Sequence, residues 1–266
     1  MNESQNKPQL FTFEDGGVDV QEYQHKPAVE VMNGSETYVD QGLRQYMIKV
    51  FNYMGAGLLV TALVAYLFAS SSALTNMLYT QTAYGMKMTG LGWLVTFAPL
   101  ILIFGFNYVA ANKSLGAVQF TFWLFSALMG ASLSSIFMVY QITSITRVFL
   151  ITSATFGALS LYGYTTNRDL TKIGSFLFMG LIGLIIASIV NIWMQSPALY
   201  WALSYIGVAI FVGLTAFDAQ RIKQMYYYGD GSGDMTARFA ISGALSLYLD
   251  FINLFLYLLR IFGDRR

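Results

Sequence analysis

The sequence predicts an all-α membrane protein, a bundle of seven transmembrane helices with the last helix central. Three observations lead there. Only 11% of the 266 residues are charged, while 56% are hydrophobic and 16% aromatic, a balance far from that of soluble domains. Seven apolar stretches reach the roughly 20 residues that a bilayer crossing requires. The last of them carries an acid, Asp250, midway along its length. A carboxylate at that depth costs on the order of 3 kcal/mol unless it faces protein, water or an ion.

The predicted spans are 46–69, 91–111, 116–140, 144–165, 173–194, 199–220 and 238–262. Residues 1–45 form a polar, aperiodic N-terminal tail, and residues 46–266 the transmembrane domain. The tail holds eight of the fourteen acids. With no apolar run behind a basic start, it does not read as a secretory signal and is expected to be disordered. Most connections are short, so successive helices pack antiparallel, and only 70–90 and 221–237 leave room for loops. Pro99 interrupts the second span. Small residues four apart (Ser126, Gly130 and Ser134; Ser153 and Gly157; Gly183 and Ala187) are expected at helix crossings.

Basic residues near the span ends set the orientation. With the N-terminus cytosolic, ten Lys and Arg fall on the cytosolic side and five on the other. A formal net charge of +1 gives no basic surface for nucleic acid. Without cysteine, thiolate metal sites and cysteine nucleophiles are excluded. The single histidine, His25, lies in the tail, which removes Ser-His and HExxH chemistry from the membrane. No enzyme and no organic cofactor are expected.

The chemistry then falls to the acids. Outside the tail there are six. Asp169 and Asp264 are expected in solvent, and Asp230 and Asp234 belong to a glycine-rich turn. A calcium loop counted from Asp230 ends at Ile241, where a glutamate is needed. Asp218 and Asp250 remain, on consecutive helices. Ser242, Ser246, Asp250, Asn253 and Tyr257 recur at spacings of four, four, three and four, one helical stripe expected to face the bundle interior. Two carboxylates brought together would share one proton. A divalent cation could replace that proton, and hard oxygen ligands suit calcium. If the last span starts at Arg238, however, Asp250 lies about 18 Å along it, whereas Asp218 lies at the cytosolic end of its own span.

The last two spans carry a resemblance. SLYLDFINLFLYLLRIFG from Ser246, preceded by AFDAQRIKQ from Ala216, resembles the Bax-inhibitor family (transmembrane Bax inhibitor motif proteins) in its bacterial branch. By hydropathy the resemblance covers roughly residues 44–263. It implies a seven-helix bundle whose activity is a pH-sensitive calcium leak, gated by a hydrogen-bonded pair at the positions of Asp218 and Asp250, with calcium and protons as the ions handled. It also implies a bacterial inner membrane and, as an alternative role, modulation of a membrane-bound AAA protease, for which the acidic tail is the candidate contact. Proton-coupled transport of a small solute is a third reading. Some members place an arginine at the end of the second helix, where it can pair with the first aspartate. Here that stretch reads Val109-Ala-Ala-Asn-Lys113, leaving Lys113, with Arg221, as the candidate latch.

Overall fold

A computed structural model describes residues 28–82, 85–228 and 233–266, with side chains from residue 41 onward except that of Tyr228. Contacts divide the chain into two units, Met1–Arg44 and Gln45–Arg266. In chain order the elements are α1 (Ala28–Ser70), α2 (Ser72–Leu78), β1 (Tyr79–Thr82), β2 (Gly85–Met88), α3 (Gly90–Asn112), α4 (Leu115–Leu133), α5 (Ile136–Val139), α6 (Ile142–Thr165), α7 (Thr171–Met194), α8 (Pro197–Tyr228) and α9 (Gly233–Phe262).

Seven stretches of these helices are long and apolar enough to cross a membrane: Gln41–Ser70, Gly90–Asn112, Leu115–Val139, Ile142–Thr165, Thr171–Met194, Pro197–Tyr227 and Gly233–Phe262. Each overlaps one predicted span. The chain is already helical from Ala28, well inside the tail expected over 1–45. Pro27 directly precedes that start and no proline follows until Pro99, so no residue in between removes a helical N–H. The first 27 residues lie outside the described part.

Local chemistry sets the other ends. Thr89 opens α3 by accepting from the Gly92 N–H at 3.0 Å, and Ser114 caps α4 through Ala117; each satisfies an amide that the first turn leaves free. Gln195, at φ 49°, closes α7 in the left-handed region. Asn191 Oδ1 accepts from the Ser196 N–H, and Pro197 then occupies the first turn of α8, where a missing N–H costs nothing. The third span is broken at Ser134, whose hydroxyl donates to the Ala131 carbonyl at 2.7 Å. The region 70–90, expected to be a loop, instead holds α2 and an antiparallel hairpin pairing Tyr79 with Met88 and Thr82 with Gly85.

The outer faces of α3 and α7 are apolar and open: Phe104, Ile101, Trp193 and Phe176 are each at least 69% exposed. Such faces are stable against lipid rather than water. By contrast, 67% of the apolar stretch of α9 is buried, against at most 39% for any other span. Helices α8, α6, α4 and α3 all pack on α9. Two close crossings depend on glycine. A Cβ at Gly163 of α6 would collide with the Ala216 carbonyl of α8, and one at Gly130 of α4 with the Thr61 backbone of α1. The expected stripe is therefore right at Gly130 but not at Gly157 or Gly183, around which a Cβ would meet nothing. Spacing marks small residues without saying which face a neighbour covers.

Candidate functional site

The site sits between α8 and α9, which form an antiparallel pair. Its register can be followed in contacts seven residues apart on α9. Gly243 lies against Ile222, and Tyr257 stacks on Phe211 at 5.8 Å and fits over Gly207. Between these contacts Asp250 meets Asp218, and a side-chain hydrogen bond links the two carboxyls. The sequence places them at different depths because Arg221 and Lys223 look like the end of a span. In the structure α8 runs on to Tyr228 and α9 starts at Gly233. Both helices thus continue past the predicted spans 199–220 and 238–262. Of the glycine-rich turn expected over 229–234, residues 229–232 lie outside the described part, and Asp234, rather than belonging to a turn, sits in the first turn of α9.

Asp250 is 5% exposed. One of its oxygens is turned to Asp218; the other, Oδ2, is buried and accepts no hydrogen bond from the protein. A buried carboxyl oxygen without a donor is costly and marks where a proton or cation would be stabilised. Asp218 is less enclosed, and Arg221, less than one helical turn further along α8, is the cation acting on it. A hydrogen bond between two carboxyls also needs a proton on one of them, so the pair as built carries a single negative charge at most.

Of the candidate latch residues, Arg221 is near the pair, whereas Lys113 is exposed beyond the end of α3. That end is tied to α9 by Arg238, whose Nη1 donates to the Ala110 carbonyl at 3.2 Å. Lys223 is held elsewhere, with Nζ donating to the Tyr164 carbonyl at 3.0 Å and lying 5.4 Å from the centre of its ring.

The polar stripe is a correction. Ser242, Ser246 and Asn253 are half-buried, on the least covered flank of α9, while Ile241, Ala244, Leu247, Tyr248 and Leu254 are buried; Tyr257, also half-buried, packs on Phe211 and Gly207 of α8. Asn253 spends its amide on its own helix, donating to the Leu249 carbonyl at 2.8 Å. Asp250 alone of the expected stripe is buried, at the middle of the line of contact with α8 that runs through 243, 250 and 257. The apolar faces serve as glue to the remaining helices.

Two groups escaped the sequence reading. Gln220, two residues beyond Asp218, is 7% exposed; its Oε1 accepts from the Leu170 N–H at 2.9 Å and its Nε2 donates to the Arg168 carbonyl at 2.8 Å. It anchors the α6–α7 connection beside the pair. On the opposite side of α9, the Tyr248 hydroxyl lies 2.6 Å from Thr61 Oγ1, which also reaches the Ser126 carbonyl at 2.8 Å. That buried node ties α1, α4 and α9 together. A glutamine within a span was a readable signal. Thr61 had none.

Among the described residues no group of three or more His, Cys, Asp or Glu could hold a metal. Two carboxyls supply fewer than the roughly six to eight oxygens that calcium takes, the others being carbonyls or water.

Seven apolar helices with a buried acid pair define an integral membrane protein. The chain belongs to the family described as inhibitor of apoptosis-promoting Bax1, whose family model matches residues 43–266. It is 49% identical over 226 residues to the inner membrane protein YbhL of Escherichia coli strain K12, covering 85% of this chain and 94% of YbhL. A Rickettsia prowazekii protein is 47% identical over 227 residues, 85% of this chain and 92% of its own length. YrjE of Lactococcus lactis is 38% identical over 237 residues, at 87% and 97%.

Proposed function

We propose that this protein is a calcium leak pathway of a bacterial inner membrane, gated by the Asp218–Asp250 pair, with its N-terminus in the cytosol. The observation that carries this reading is the contact of the two carboxyls inside antiparallel membrane-spanning helices. The unpartnered Asp250 Oδ2 supports it, as does the naming of YbhL as an inner membrane protein. The orientation rests on the distribution of Lys and Arg.

The gate follows from charge. While one proton is shared, the hydrogen bond holds α8 and α9 in register. Losing that proton leaves two like charges in contact, a repulsion of about 4 kcal/mol at 4 Å and an effective dielectric constant of 20. Either the carboxylates separate or a cation takes the proton's place. Asp218 is the member that moves, because it is less enclosed and Arg221 offers its charge a partner. Asp250 stays, packed on every side, and presents its oxygens to the passing ion. Calcium is the cargo that hard carboxylate oxygens favour over softer metals.

Purified full-length protein in vesicles loaded with a calcium dye tests this. Leak should rise as pH is stepped upward through the point where the shared proton leaves. Flux equal to that of empty vesicles at every pH would refute it. The shared proton also supports a second reading, proton-coupled movement of a small solute, for which flux would follow an imposed proton gradient with no calcium present.

A further inference from the structure

Where α7 ends, α8 begins and α9 ends, the fold leaves a cleft of about 570 Å³ away from the acid pair. Two arginines line it and converge on one ring. Arg260 lies over the face of Tyr200, 4.9 Å from its centre, and Arg265 Nη2 donates to the Tyr200 hydroxyl at 3.0 Å. No carboxylate lines the cleft. The nearest acid in sequence, Asp264, is instead paired at 2.8 Å with Arg147 on α6. Arg265 is not on a loose end: Gln141 N–H donates to the Asp264 carbonyl and Arg266 N–H to the Val139 carbonyl, fixing the backbone on both sides of it. Among the described residues, two guanidiniums are thus gathered on one ring with no carboxylate lining the cleft beside them, although like charges held together oppose folding.

We propose that the cleft binds the headgroup of an anionic phospholipid, with its phosphate between Arg260 and Arg265. Guanidinium groups suit phosphate oxygens in forked geometry. The position decides between a lipid and a soluble anion. The cleft lies at the ends of three membrane-spanning helices, and one of its lining residues, Trp201, is 44% exposed and stacks with Tyr205, itself 59% exposed; Ile192 and Trp193, next in sequence to the lining residue Asn191, are 68% and 76% exposed. Aromatic residues of this kind sit at headgroup level, and the faces below them would take acyl chains. A soluble phosphate would use the arginines and leave that apolar rim without a purpose.

The test is native mass spectrometry of the detergent-solubilised full-length protein, titrated with phosphatidylglycerol or phosphatidylcholine, with inorganic phosphate and glycerol 3-phosphate as soluble arms. Phosphatidylglycerol should bind tighter than phosphatidylcholine by about fivefold for each arginine engaged, as expected for a basic residue meeting anionic lipid. Arg265→Gln, at an exposed position, should lose about fivefold with the fold intact. Adding Arg260→Gln should bring binding to the phosphatidylcholine level, and Arg147→Gln should leave it unchanged. Equal binding of the two lipids by the parent, a preference that survives in the double variant, or competition by inorganic phosphate at equimolar concentration would each overturn the proposal.

Discussion

Replacing Thr61 with valine should cost more stability than replacing Tyr248 with phenylalanine, and the two together should cost less than their sum. The Tyr248 hydroxyl is fully buried and Thr61 is 4% exposed. The two oxygens are 2.6 Å apart. In Thr61→Val the phenol loses its partner inside the protein, and an unsatisfied buried donor costs about 1–3 kcal/mol. In Tyr248→Phe the threonine keeps its backbone acceptors, at 2.8 Å to Ser126 and 3.0 Å to Gly57. Only a net hydrogen bond is lost there, about 1 kcal/mol. The double variant leaves no donor stranded. Coupling between polar pairs in membrane helices averages about 0.6 kcal/mol and reaches about 1.7. The shortness and full burial of this contact place it at the upper end, about 1.5 kcal/mol.

Unfolding by SDS in mixed micelles gives the four free energies of that cycle. Additivity within about 0.5 kcal/mol, the behaviour of independent sites, would refute the reasoning. So would a greater loss in Tyr248→Phe than in Thr61→Val. The outcome also bears on function, because Tyr248 and Asp250 lie on opposite sides of α9. The node fixes the back of the helix whose front carries the acid.

Other outcomes follow from the same structure. Asp218→Asn should flatten the pH response of calcium leak, and Asp250→Asn should reduce the leak itself; liposome flux at stepped pH measures both, and an Asp250→Asn variant with parental flux and pH response would reduce that residue to a structural acid. Gln220→Ala strands the Leu170 N–H and should cost about 1–3 kcal/mol, read as a lower Tm. Gly163→Ala forces a methyl group into the Ala216 carbonyl and should cost about 1–3 kcal/mol as overpacking, whereas Gly157→Ala, with open space around it, should be neutral or slightly stabilising. Asp169 is held below the usual carboxylate range by hydrogen bonding from Thr171, first from its side chain and then from its backbone N–H. The ionised carboxylate therefore stabilises the start of α7 above the unfolded value of about 3.9, and that contribution disappears as pH falls through the lower folded value. The Tm difference between parent and Asp169→Ala should be present at pH 7 and shrink as the pH is lowered beneath the ordinary carboxylate range.

The spans were legible because lipid demands long apolar runs, and that demand leaves its mark on every residue of a helix. The acids were legible for the converse reason: a carboxylate in such a run is costly and so stands out. The ends of α8 and α9 were not, because a helix leaving the membrane keeps its backbone geometry while its side chains turn polar. Arg221 and Lys223 therefore read as a boundary when they are part of an uninterrupted helix. The hairpin at 79–88 was missed for a related reason, since short strands carry too few residues to show a period. Pairwise contacts such as Thr61 with Tyr248, 187 residues apart, leave no local trace.

The misreading of α9 shows where the periodicity argument stops holding in a membrane. In water a polar stripe marks the outside of a helix, and in lipid the first expectation is the inverse. Here Ser242, Ser246 and Asn253 follow neither rule, because each is small enough to satisfy its polar group locally, as Asn253 does on the Leu249 carbonyl. Residues of that kind can occupy a half-covered flank at little cost and carry no directional information. A carboxylate has no such local remedy, since it bears charge and accepts but cannot donate to its own helix carbonyls. It must be answered by another element. Depth and charge together pick out Asp250, and the partner it requires must come from a helix that reaches the same depth. Of the remaining acids outside the tail, Asp218 is the one other that falls within a predicted span, near its end, which is why the pair is legible in the sequence while its register and its supporting stripe are not.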